Sequence, residues 1–122
     1  MQISEIYRRG VVLGRSPQAL QQLLANDVQP GSDVIYIPIS SSLFSVLWKN
    51  RLFEELNKAC GVNIDDYEEE MLPLEAIAAA ESVVRKRKEI PSEANDLSAF
   101  YEGLLAMLQD ARERQYPLFF VL

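Results

Sequence analysis

The chain contains no histidine and only one cysteine among its 122 residues. Without histidine it lacks the commonest general acid–base group at neutral pH and the commonest transition-metal ligand. A serine–histidine–acid triad cannot be assembled. Cys60 alone falls short of an ordinary zinc ligand set. One thiol cannot close an internal disulfide, so nothing here calls for an oxidising compartment. No apolar run approaches the ~20 residues of a transmembrane helix. Met1 to Arg9 lacks the basic leader and apolar block of a secretory signal. There is no glycine-rich phosphate loop with its lysine, no internal repeat and no low-complexity stretch. These absences lead us to expect no catalytic residue, no metal, no cofactor, no membrane association and a cytoplasmic location.

What is present fits one globular domain spanning residues 1–122. Apolar residues make up 48% and charged residues 25% of the chain, enough to form a core without a metal or disulfide. The net charge of −6 opposes nucleic-acid binding, which needs a basic surface, and favours a basic partner.

Residues 2–14 read either as a helix, from Ile3, Ile6 and Tyr7, or as a short strand at Val11–Leu13, with Gly10 and Gly14 as turns. Ser16–Pro17 is a helix start, because serine caps free amides and proline fits the first helical position. Residues 33–39 are β-branched and aromatic and predict a strand, and Pro38, which cannot donate a ladder hydrogen bond, makes that end an edge, a bulge or a strand exit. Ser40–Ser42 opens a second helix over 42–60, with Gly61 as its stop. Residues 62–72 form an acidic connection, and a third helix covers 73–89, with Pro91 beyond it. In the fourth helix Leu97, Phe100, Tyr101, Leu104, Leu105, Leu108 and Ala111 repeat as one buried stripe, with Asn95 or Asp96 as cap. The apolar run 118–122 predicts a buried strand that pairs with 33–39. The expected fold class is α+β, with about four helices on a small sheet that includes residues 33–39 and 118–122.

Three features are candidate sites. Asp65, Asp66, Glu68, Glu69, Glu70 and Glu75 lie in a stretch, residues 62–84, that has no base. Those six acids equal the whole net charge. Such a run is ordinarily a solvated face; its functional reading is a surface for a basic partner, formed by Asp65, Asp66, Glu68, Glu69 and Glu70. The second helix has an apolar surplus: its later half keeps Arg51, Glu54, Asn57 and Lys58 on a polar face, but Leu43, Phe44, Leu47 and Trp48 of its first half are either deep core or anchors for a partner or a second copy. Ser40, Ser41 and Ser42, at a strand-to-helix junction, are either plain caps or an anion site. Cys60 lies on the apolar side of its helix and reads as a small hydrophobe. The basic run Arg85–Lys88 winds round its helix and suits the negative end of the helix dipole better than a nucleic-acid stripe.

In composition alone, the small, acidic, helix-rich profile without catalytic motifs resembles bacterial toxin-neutralising immunity proteins. The likeness transfers no residue. The leading expectation is a non-enzymatic protein-interaction module, an immunity-type inhibitor of a basic partner being its concrete form. A small-ligand or anion-binding domain using Ser40–Ser42 is the alternative, and a carboxylate-based or divalent-metal enzyme is a further one. A homodimer through the second helix is compatible with its apolar surplus.

Overall fold

A computed structural model describes residues 1–90 and 95–122. The elements run α1 (Ile3–Tyr7), β1 (Gly10–Gly14), α2 (Pro17–Leu24), β2 (Val34–Pro38), α3 (Ser41–Lys49), α4 (Leu52–Cys60), β3 (Glu69–Leu72), a 3-10 turn (Leu74–Ala76), α5 (Ile77–Lys88), α6 (Asn95–Arg114) and β4 (Leu118–Val121). The four strands form one antiparallel sheet in the order β2-β1-β4-β3. The class is α+β, as expected, and both predicted strands belong to the sheet.

Their pairing differs from the expectation. β4 does not pair with β2, because β1 lies between them, with Val11 against both Ile37 and Phe120. The reason is burial on both faces. Val11, Val12 and Leu13 are all at 0% exposure, so β1 can only be a central strand. Gly10 and Gly14 are accordingly strand residues, not turns. They mark close approaches: Tyr36 packs over Gly10, and the backbone of Leu20 in α2 passes Gly14. The ambiguous segment 2–14 is thus a helix and a strand in succession.

The pleat divides the core in two. Val11, Leu13, Ile35, Ile37, Leu118 and Phe120 face the larger core beneath α3 to α6. Val12, Val34, Phe119 and Val121 face a thinner layer with Ile3, Leu23 and Val28. Alternate residues of one strand therefore serve opposite layers.

The predicted second helix is two helices. The chain breaks at Arg51, which adopts a left-handed conformation with φ +61. Phe44 and Leu47 would lie opposite Leu52, Phe53 and Leu56 on one continuous helix. The break lets both sets enter the core. The acidic connection also contains an element, edge strand β3, whose Glu69 and Glu70 discourage further strand pairing. The third helix starts late, as the 3-10 turn precedes α5.

Ser16 accepts a bond from the Ala19 N–H, Ser40 one from the Leu43 N–H, and Gly61 ends α4 at φ +67. The α6 stripe is buried, apart from half-buried Leu105. Asp96 sits inside the first turn rather than capping it. Pro91 and the capping role of Asn95 lie outside the described residues.

Candidate functional site

With α1 ending at Tyr7 and β1 beginning at Gly10, Arg8 and Arg9 are left in the short link between them. The Tyr36 hydroxyl donates to the Arg9 carbonyl at 3.0 Å and fixes the link to the sheet. The Arg9 guanidinium lies 3.9 Å from the centre of the Phe44 ring and donates to Asp66 Oδ1 at 2.7 Å. The same oxygen accepts the Tyr67 N–H at 2.9 Å, and Asp65 Oδ1 accepts the Asp66 N–H at 2.8 Å. Tyr67, held at φ +62, places its ring 4.8 Å from the Arg8 guanidinium.

Phe44 continues the series in the other direction. Its ring is 5.7 Å from Trp48 and 5.9 Å from Phe53, and Trp48 is 6.4 Å from Phe53. An unbroken set of contacts thus joins Trp48, Phe44, Arg9, Asp66, Tyr67 and Arg8. The two candidate sets from the sequence, the acidic segment and the start of the second helix, meet through Arg9. At its ends the strip exposes large aromatics: Trp48 is 49% and Tyr67 77% exposed. A groove of about 410 Å³ beside Trp48 is lined by Phe53, Ile64, Glu54, Arg51 and Asp65, among others.

The five acids separate into two groups. Asp66 pairs with Arg9, Glu69 accepts the Ser4 N–H at 3.2 Å, and Glu70 accepts the Asn63 N–H at 2.6 Å. These three carboxylates hold the edge strand and its loop to the body. Asp65 and Glu68 are exposed. Among the apolar anchors, Leu47 is fully buried and Phe44 is buried, so both belong to the core and offer a partner no surface. Leu43 is half-buried, and Trp48 is the anchor that faces outward.

Ser40, Ser41 and Ser42 are exposed. The Ser40 hydroxyl caps α3 and lies 3.2 Å from that of Ser42. An open cleft of about 550 Å³ beside Ser40 is lined by Arg8, Arg9, Leu43, Asp96 and Phe100, among others.

Cys60 is half-buried, its sulfur 3.6 Å from the Ala76 carbonyl. Burial pushes its thiol above the usual range. Glu81 is the buried carboxylate that the sequence did not single out. It is 1% exposed, and its Oε2 bridges Arg85 at 3.2 Å and Arg112 at 3.3 Å, clasping α5 to α6. Among the described residues, no three acidic or thiol groups gather closely enough to hold a metal ion, and no helix is long and apolar enough to cross a membrane.

Arg8, Arg9 and Tyr67 were missed in the sequence. The available signals were an arginine pair outside any helix and an aromatic within the acidic run. No protein-family model, curated protein or solved structure matches the chain.

Proposed function

We propose that this chain is a non-enzymatic protein-binding module whose contact face is the strip from Trp48 to Tyr67, and that its partner presents a basic surface. One observation carries the reading: the exposed aromatics Trp48 and Tyr67 stand on one buttressed strip, with the exposed carboxylates Asp65 and Glu68 beside them. Tryptophan, tyrosine and arginine are the residues most enriched where binding energy concentrates. A fixed ring loses little conformational freedom on binding, and the acids steer a basic partner. An immunity-type inhibitor is the concrete form of this module, because it needs only charge and shape complementarity.

The test neutralises the two exposed acids of the five. Immobilised native protein and the Asp65→Asn/Glu68→Gln variant are compared for the proteins that each retains from source-cell lysate. Association with the retained partner is then followed against salt. The variant should associate more slowly at low salt and show a flatter salt dependence. Equal rates and equal salt slopes would remove the acidic face from the reading.

A second reading, a small-anion site, has an observation of its own in the cleft that brings Arg8 and Arg9 beside Ser40. Calorimetry with inorganic phosphate should give heat that Arg8→Ala abolishes. No heat would leave Ser40–Ser42 as caps only.

A further inference from the structure

We infer that the groove between Trp48 and Asp65 is a subsite for an arginine side chain of the partner; this rests on the protein-binding reading and narrows it to one chemistry. The floor of the groove is apolar, with Phe53 at 2% and Ile64 at 3% exposure. One wall is the Trp48 ring, held from behind by Phe44 and Phe53. The rim carries the carboxylates of Glu54 and Asp65. Arg51 is the cation on that rim, 78% exposed and reaching Glu54 only at 3.8 Å. The groove thus combines an aromatic face with negatively charged hydrogen-bond acceptors.

The same molecule shows what this combination holds. Arg9 lies over Phe44 while pairing with Asp66, and Arg8 lies over Tyr67 in the same acidic turn. In both places a planar guanidinium rests on a ring, and at Arg9 a carboxylate pairs with it as well. The Trp48–Asp65 groove repeats the arrangement with a better ring, since tryptophan is the strongest cation–π partner. Arginine suits it better than lysine. Its planar, weakly hydrated head stacks on the indole and pairs with carboxylate through two parallel bonds, whereas an ammonium keeps its water. The side-chain stem would lie along the apolar floor.

Trp48 is the single tryptophan of the chain, so its emission reports on the groove directly. The native full chain is titrated with an amidated tetra-arginine peptide and, separately, with amidated tetra-lysine. Tetra-arginine should change the emission saturably, and tetra-lysine should bind several-fold more weakly. Asp65→Asn/Glu54→Gln, both exposed positions outside the core, should weaken tetra-arginine about tenfold, the loss of a charge-assisted pair. Arg51→Gly removes the competing cation at a left-handed position that favours glycine and should tighten binding. Equal response to the two peptides, no saturable response, or an unchanged acid-neutralised variant overturns the arginine subsite. Emission that instead depends on protein concentration alone means that a second copy covers the groove, which also overturns it. The broader reading fails separately, through equal rates and equal salt slopes of the native protein and Asp65→Asn/Glu68→Gln with the captured partner.

Discussion

Phe120→Ala is expected to cost about 3–5 kcal/mol, the range for deleting a buried aromatic. Stability of a chain this size is about 5–15 kcal/mol, so the variant should melt roughly 10 °C or more below the native protein. The cause is position. Phe120 is 1% exposed on β4, paired to Val11 on one side and Glu70 on the other, and its ring enters the larger core under α3 to α6. That core is closed by helices packed on a four-stranded sheet, so the space left by the ring cannot collapse and remains as a cavity. Its neighbour Phe119 is also buried but points into the thinner layer with α1 and α2. Phe119→Ala should fall at the lower end of the same range, because a five-residue helix such as α1 can settle into the gap. Thermal melts of both variants check this. Equal losses would contradict the asymmetry of the two layers, and a shift of only a degree or two for Phe120→Ala would contradict the closed core.

What could be read from the sequence followed local physics. The α6 stripe is a 3.6-residue pattern over many turns, and Ser16–Pro17 is a self-contained cap; both needed no tertiary information. The terminal run 118–122 was readable as a strand because it is apolar throughout. Its partner was not, since pairing is non-local and β1 carries no alternation to betray it: both of its faces are buried. The break at Arg51 was hidden for a different reason. A left-handed turn is normally announced by glycine or asparagine, and here arginine occupies it because the two apolar sets on either side demand separate directions. β3 was hidden by composition, as Glu69 and Glu70 are poor strand formers drawn into the ladder by Phe120 and Val121. The site divides in the same way. The acidic segment and Trp48 were visible as separate features. Their junction was not, because it is made by Arg9, a residue distant in sequence from both. The acids themselves looked equivalent in the sequence, whereas their partners, Arg9, Ser4 and Asn63, set three of them apart from Asp65 and Glu68.

The junction also links stability to the contact face, through the smallest residue near it. A Cβ added at Gly10 would run into the Tyr36 ring and the Ile37 carbonyl oxygen on the neighbouring strand. A side-chain tip can swing away, but a ladder carbonyl cannot without breaking the β1–β2 pairing. Gly10→Ala is therefore expected to cost about 3 kcal/mol or more, the upper part of the range for overpacking. Tyr36 also packs on Tyr7, with ring centroids 5.3 Å apart, and its hydroxyl holds the Arg9 carbonyl. Displacing the ring should loosen Arg9 from Phe44 and Asp66, and with it the back wall behind Trp48. Two readouts should move together: the melting temperature falls by roughly 10 °C, and Trp48 emission shifts at temperatures where the variant is still folded. Gly103→Ala is the control. Its Cβ would meet only Ile37 Cδ1 at an ordinary 3.6 Å, within α6. That change should stabilise by about 0.5–1 kcal/mol through helix propensity and leave the emission untouched. If Gly10→Ala melts like the native protein, then β1 has room above Gly10 and the tie between Tyr36 and Arg9 is not what positions the strip.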